Sequence, residues 1–433
     1  MRRYARYKPT GIPWLPEVPD GWAYVPFKRI ARVAANLVSP EEHLSKPQIS
    51  PEQIEKGSGR LLPWKTVEDS HVESDNHLFY KGQILYSKIR PLLNKVVIAP
   101  FDGLCSADMY PIETSENTSY VKYYMLSQAF LNGVANAVGD RVKMPKINKR
   151  ELATIPIVVP PLPEQQAIAA YLDAKCGKID RLVAAKEKEV ALLKELKQSM
   201  IAEAVTGKIK THAEAQRGRG CGASRPMKPS GIPWLPEVPE GWEVRRVSSF
   251  LKVKDAPSAP NEELLSVFLD RGVIRFSAGG EKRANATSKD LSKYQLVESG
   301  DFVMNNQQAW RGSVGVSSYR GIVSPAYFVI QMADCVNPHY ANYAFRSRPF
   351  VSVYEICSRG VGSIQRNLIW NMFKGQPLPL PPLPEQREIV AYIETRAAKI
   401  DAAVSKLEAE VAALKEYRER LIADVVTGQR KVA

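Results

Sequence analysis

Apolar residues near the C-terminus recur every seven positions. Ile400, Leu407, Leu414 and Leu421 form one row, and Val404, Val411 and Val425 form a companion row broken by Arg418. An earlier stretch has the same design, with Ile179, Leu193 and Met200 in one row and Val183 and Val190 in the other; Lys186 and Lys197 interrupt it. A seven-residue period is a seam that wants one partner helix. Each stretch opens with Pro-Pro-Leu-Pro-Glu-Gln, at Pro160–Gln165 and at Pro381–Gln386. Proline suits the first helical turn and an acidic side chain is favoured there. Each closes on Thr-Gly, at Gly207 and Gly428, the usual C-terminal stop. Two helices of roughly 40 residues, about 60 Å long, are predicted. Because one chain carries both, an intramolecular pair is expected rather than a dimer seam.

The duplication extends beyond the helices. Lys178-Ile179-Asp180 answers to Lys399-Ile400-Asp401, at the same offset as the two Pro-Leu-Pro-Glu-Gln motifs. Gly11-Ile12-Pro13-Trp14-Leu15-Pro16 and Gly21-Trp22 answer to Gly231-Ile232-Pro233-Trp234-Leu235-Pro236 and Gly241-Trp242, at an offset one position shorter. A fixed-period repeat means that one unit is written twice. The prolines of the opening segments exclude helix and central strand, and Trp14, Trp22, Trp234 and Trp242 are read as packing anchors. Between opening and helix, Ile84-Leu85-Tyr86 and Val96-Val97-Ile98 read as strands around a turn near Pro91 and Asn94, and residues 121–135 read as helical.

The two copies share a frame there but not a surface. Gly82-Gln83-Ile84-Leu85 aligns without gaps on Gly300-Asp301-Phe302-Val303, which sets Lys88 against Asn306, Arg90 against Gln308 and Lys95 against Ser313. A second variable stretch precedes each helix, from Gly139 to Arg150 and from Gly360 to Leu368, rich in residues that bond bases and phosphates. The chain reads as two copies of one mixed α/β binding module carrying two different recognition surfaces, each followed by a long helix. Its parts are a first domain with its extended segment (1–159), a first helix (160–207), a basic linker (208–230), a second domain (231–380), and a second helix with a tail (381–433). The linker carries six basic residues against Glu214 and reads as flexible.

Charge adds a partner class. The 433 residues carry 60 Lys and Arg against 46 Asp and Glu, a net charge of +14, which favours a polyanion. The cysteines (Cys105, Cys176, Cys221, Cys335, Cys357) lack Cys-x-x-Cys spacing, so neither a disulfide framework nor a zinc site is indicated. No signal peptide or membrane span is read, and a reduced cytoplasmic location is expected. Phosphate-loop, zinc-protease and serine-hydrolase motifs are absent, and no cofactor is expected. His71, Asp75 and His77 invite a metal reading, but an exposed polar loop is the better one. Asp173-Ala174-Lys175 resembles half of a nuclease pair and lacks its second carboxylate. The chain reads as non-catalytic.

The paired Gly-Ile-Pro-Trp-Leu-Pro…Gly-Trp openings and Pro-Pro-Leu-Pro-Glu-Gln helices ending in Val-Thr-Gly resemble the specificity subunits of type I restriction–modification systems. Tyr86-Ser87-Lys88-Ile89-Arg90-Pro91 and Ala309-Trp310-Arg311-Gly312 add to the likeness. The resemblance implies an α+β chain: two mixed α/β target recognition domains separated by two long helices forming an antiparallel coiled coil, a pseudo-twofold internal repeat, with each domain reading half of a bipartite double-stranded DNA site. It also implies two docked methyltransferase subunits and restriction subunits as partners; N6-adenine methylation and cleavage would belong to them. The expected DNA contacts are Lys88, Arg90, Arg141, Lys143 and Lys146 in the first domain, and Gln307, Gln308, Arg311, Gln365 and Arg366 in the second. A specificity subunit of a related single-complex system, a coiled-coil protein scaffold and an RNA-binding adaptor remain open at this level.

Overall fold

The computed structural model describes residues 3–139, 141, 145–209, 226–255, 257–269, 271–279, 290–360 and 366–432. Most of the basic linker, with Cys221 and His212, lies outside them, as do Lys143 and Gln365. The chain divides into two compact units. One holds residues 1–187 and 408–433, the other 188–407. Each unit therefore contains one α/β domain and a part of both long helices.

Both long helices form as the apolar period requires, over Leu162–Val205 and Leu383–Val426. Gly207 and Gly428 follow them in the left-handed region, at φ 77° and 74°, and Lys208 N–H and Arg430 N–H donate back to Glu203 and Asp424. These are glycine stops that satisfy the last carbonyls. In the first unit Lys186 meets Glu410 and Arg418 meets Asp180. One number rises as the other falls, so the helix segments run antiparallel. In the second unit Lys197 meets Asp401, with Nζ 2.7 Å from Oδ2. The three seam interruptions are thus cross-helix ion pairs. Around them Ile179, Val183, Leu421 and Val425 bury in the first unit, and Met200, Ile393, Ala397 and Val404 in the second.

The proline-rich openings are more ordered than an extended strip. Tyr7–Ile12 pairs antiparallel with Leu15–Pro19, and Met227–Ile232 with Leu235–Pro239, as isolated two-stranded hairpins. Such a hairpin has no central strand, so its prolines cost no ladder bond that a neighbour needs. Trp22 and Trp242 are buried; Trp14 and Trp234 are half-buried against the cores. The indoles of Trp22 and Trp242 donate to Glu164 and Glu385, each at 2.8 Å. The adjoining Gln165 and Gln386 are fully buried. Each accepts from the N-cap residue of a domain helix, Asn117 N–H at 3.0 Å and Asn337 N–H at 2.7 Å. The Glu-Gln pair of the motif is therefore a structural clasp between helix start and domain.

Each domain is built on a four-stranded antiparallel sheet of the same order. In the first the strands are Val96–Ile98, Ile84–Ser87, Met109–Thr114 and Ala31–Val33; in the second, Val314–Val316, Phe302–Asn305, Tyr327–Met332 and Leu251–Val253. Side chains alternate across a strand, and both faces here are covered. Ile84 and Tyr86 join the core shared with the helices, whereas Leu85 enters a second core with Ile49, Phe79 and Cys105. Phe302 and Met304 against Val303 repeat the division. The helical stretch expected at 121–135 is two helices, Thr118–Leu126 and Gln128–Val138. Ser127 between them is extended and caps the second, its hydroxyl accepting from Phe130 N–H.

His77 does not lie in an exposed loop. It sits in the strand Asn76–Phe79, 7% exposed, paired on one side with Leu37 and on the other with Cys105, so it lies inside a sheet and not in a loop. No group of three or more His, Cys, Asp or Glu placed to hold a metal ion occurs among the described residues. Asp173 serves packing: it accepts from Tyr123 Oη at 2.7 Å and pairs with Lys122 at 3.5 Å. Burial pulls the Lys122 ammonium below its ordinary range despite that carboxylate. No described helix is long and apolar enough to cross a membrane.

Candidate nucleic-acid interface

The two variable stretches of each domain meet in space, and the same backbone bond joins them in both copies. Ile147 N–H donates to Lys88 O at 2.9 Å, and Leu368 N–H donates to Asn306 O at 3.1 Å. Lys88 and Asn306 are the positions that the sequence frame aligns. In the first domain a bridge between Ile89 and Lys146 and a bond from Arg90 N–H to Pro145 O at 2.8 Å complete the junction.

The junction places Lys88, Arg90, Arg141 and Lys146 together. Arg90 is exposed and left-handed at φ 44°, flanking the tight turn Pro91–Leu93. A non-glycine residue in that region is uncommon and is held there by its surroundings; the bond to Pro145 and the following proline do so here. Lys88 and Lys146 converge on Asp108, with Nζ at 4.0 Å and 3.2 Å from Oδ1, and the Lys88 ammonium lies 5.5 Å from the Tyr110 ring centre. Arg141 is engaged within the protein. It donates to Lys146 O at 2.9 Å and pairs with Glu151, whose carboxyl it holds below the ordinary range. Contact with a phosphate would require Arg141 to exchange that partner. The exposed Lys149 and Arg150 flank the cluster at the start of the helix Lys149–Thr154. Burial, aided by the charges of Lys88 and Lys149, lowers the pKa of His77 below its ordinary 6.5.

The second domain has an aromatic centre instead of a lysine cluster. Arg311 and Arg366 both lie on Trp310, with guanidinium carbons 5.8 Å and 4.7 Å from the ring centre. They come from the two variable stretches, so one indole ties them together. Arg366 also lies 3.5 Å from Glu355. Gln307 and Gln308 are half-buried on the turn that leads into Ala309–Arg311, and the Trp310 indole donates to Gln307 O at 3.2 Å. An arginine near an indole face is attracted to the ring quadrupole.

Of the ten candidate residues, eight lie within the described part, and all eight fall at these two junctions. Sequence reasoning passed over Asp108 and Glu151, which order the first cluster, and it did not single out Trp310 as the organiser of the second. The run Ala309-Trp310-Arg311-Gly312 was legible as a unit, yet an indole beside an arginine gives no sign that Arg366 arrives from the other variable stretch.

Comparison with known proteins places this geometry. The family model for the type I restriction modification DNA specificity domain matches twice, over residues 19–191 and 239–412. The chain is 37% identical over 202 residues to the type I restriction enzyme EcoDI specificity subunit of Escherichia coli, a match spanning 47% of this chain and 45% of that one. It is 22% identical over 351 residues to the MjaVIII specificity subunit of Methanocaldococcus jannaschii, over 76% and 75% of the two chains. A chain solved in a study of complex assembly and conformational transition of the type I R-M system shares the fold. The TM-score is 0.66 at 16% identity, over 95% of this chain and 99% of that one. Two copies of the specificity domain, each with its long helix and its two joined variable stretches, make this chain a member of the type I restriction modification DNA specificity family.

Proposed function

We propose that the chain is the non-catalytic subunit that gives a type I restriction–modification complex its sequence specificity. Each domain reads one half of a bipartite duplex target. Methyltransferase subunits modify adenine at N6 and restriction subunits cleave, both directed by this chain. The observation that carries the reading is the repeated junction: one backbone frame, closed by the same hydrogen bond in both copies, presents different polar side chains. A frame kept while its surface changes is what two reading heads for two different half-sites need.

The chemistry of each head follows from its side chains. Lys88, Arg90, Lys143 and Lys146 neutralise phosphates and set register, with Arg141 available after exchange of Glu151. Gln307, Gln308, Gln365, Arg311 and Arg366 are types that pair with adenine or guanine edges, each good bidentate pair being worth about 1–3 kcal/mol of discrimination. The antiparallel helices act as the spacer, since half-site separation follows protein geometry. In this reading the domain limits are 1–159 and 231–380, the helices 160–207 and 381–433 with its tail, and the linker 208–230.

The test is genome-wide mapping of N6-methyladenine in cells with and without this gene, its methyltransferase partner present. A bipartite motif with one fixed unread spacer that vanishes on deletion is expected. An unchanged map, with the methyltransferase active, would move the assignment to a protein scaffold.

A further inference from the structure

Arg418 and Lys197 occupy equivalent positions of the repeat. Both meet the equivalent aspartate of the opposing helix: Arg418 Nε lies 2.9 Å from Asp180, and Lys197 Nζ lies 2.7 Å from Asp401. The Arg418 approach is an ion-pair contact rather than an aligned hydrogen bond. A lysine therefore suffices to pair the helices. The arginine reaches further. Its Nη2 donates to Ser58 O at 2.6 Å and its Nη1 to Gly57 O at 3.4 Å, and the residue is 7% exposed. A planar fork with five donors can hold a carboxylate and two carbonyls at once; an ammonium on a flexible stem does not reproduce that geometry.

The contacts continue into the domain. Gly57 N–H donates to Asn94 O at 3.0 Å, and Asn94 Nδ2 donates to Leu126 O at 3.1 Å. Asn94 and Arg90 are the two left-handed residues that bracket the turn Pro91–Leu93, at φ 47° and 44°. Arg90 N–H in turn donates to Pro145 O across the junction of the variable stretches. An unbroken series of polar contacts thus runs from the helix, through the Gly57–Ser58 loop, to the loop that carries Lys88 and Arg90. A cavity of about 150 Å³ borders the guanidinium, so the Gly57–Ser58 loop has room to shift once those bonds are lost.

We propose that Arg418 is a positioning residue that fixes the first reading loop to the helix pair and thereby sets how strictly the complex measures half-site separation. The inference rests on the DNA-reading function above. It adds that spacer selectivity depends on one side chain that touches no DNA.

The test uses Arg418→Lys in the full chain, co-expressed with its methyltransferase partner. Lysine keeps the charge and the helix pair, as Lys197 does in the second unit, so the variant retains the fold. The wild type should methylate one spacer length. The variant should methylate the same half-site bases with its preference over spacers one base pair longer or shorter reduced about tenfold, since a misplacement near 1 Å can cost about a hundredfold in a positioned reaction. Lys197→Arg, the mirror change, should leave spacer selectivity intact. A merely structural role would lower methylation at all spacers in parallel. Preference within twofold of wild type in an assembled Arg418→Lys complex overturns the proposal. Hydrogen exchange supplies a readout that needs no DNA: the Gly57 amide should exchange at least about tenfold faster in the variant, with protection of the long helices unchanged. Unaltered Gly57 exchange also overturns it. A wild-type map without any bipartite motif would instead overturn the DNA-reading function, and the exchange measurement would still decide whether Arg418 anchors the loop.

Discussion

The indole nitrogen of Trp22 lies 2.8 Å from Glu164 Oε2, and the arrangement recurs at 2.8 Å between Trp242 and Glu385 Oε1. A tryptophan just beyond the opening hairpin thereby locks the first turn of a helix that begins only after the whole domain has been traversed. Hydrogen bonds to charged groups are worth about 1.5–3 kcal/mol, and losing one partner leaves the other poorly satisfied. Trp22→Phe should therefore destabilise the first unit by about 1–2 kcal/mol, read as a lower urea midpoint with an unchanged slope. Pairing it with Glu164→Gln in a double-mutant cycle should recover part of the loss; strict additivity would show that the two side chains do not interact.

The helix-stop glycines make contacts that a side chain forbids. A Cβ at Gly428 would collide with the Pro19 ring, and one at Gly207 with the Pro239 ring. Gly21 has a comparable positive φ, at 94°, with nothing within 4 Å of a Cβ position. Gly21→Ala should cost only the left-handed strain, about 1–2 kcal/mol. Gly428→Ala should add an overpacking cost of about 1–3 kcal/mol. Thermal unfolding of the two variants side by side measures the difference, and equal losses would mean that the hairpin yields without cost.

Loss of Lys146 and loss of Trp310 should differ in kind. On the proposed function Lys146→Ala removes a cation that meets phosphate, so binding should weaken evenly across sequences and the log–log salt slope should fall by about 0.9. Trp310→Ala removes the ring on which Arg311 and Arg366 lie and should relax base preference in the second half-site alone. Any change in the first half-site's bases in the Trp310 variant would contradict independent reading heads. Competition binding against duplexes varied one base pair at a time resolves the two effects.

His77 predicts the direction of a pH effect. Its pKa is lowered from 6.5, chiefly by burial, with Lys88 and Lys149 acting the same way and a hydrogen bond to the Asn36 backbone opposing them. Below that ordinary value the unfolded chain takes up a proton that the folded imidazole resists, so stability falls as pH drops through 6.5 toward the folded pKa. The urea midpoint of the first unit should decline across that window and flatten in His77→Gln. A His77→Gln chain that declines as steeply as wild type would assign the effect to other groups.

Much of this molecule was legible in its sequence. The period of seven, the proline-led starts and the Thr-Gly stops fixed two 44-residue helices almost to their ends, because these signals act within a few turns. The near-constant offset between matching segments exposed the duplication, and the aligned glycines located the sheet strands around Ile84 and Phe302. The variable surface was found as two separate stretches in each copy, with Lys88 or Asn306 in one and Lys146 or Arg366 in the other.

What the tertiary structure alone decided is which distant pieces meet. A heptad row demands a partner but does not name it, so only the fold puts Gly428 of the second helix against Pro19 and Trp22 of the first unit, and Gly207 of the first helix against Pro239 and Trp242 of the second. A charged residue in a seam reads as a flaw. In the fold Arg418 becomes a fork that pairs with Asp180 and donates to two carbonyls. An indole reads as core or surface, and the fold makes Trp310 the platform for arginines from both variable stretches. Local pattern is set by neighbours a few residues away, whereas these contacts close long loops of chain and exist only where packing brings their partners within reach.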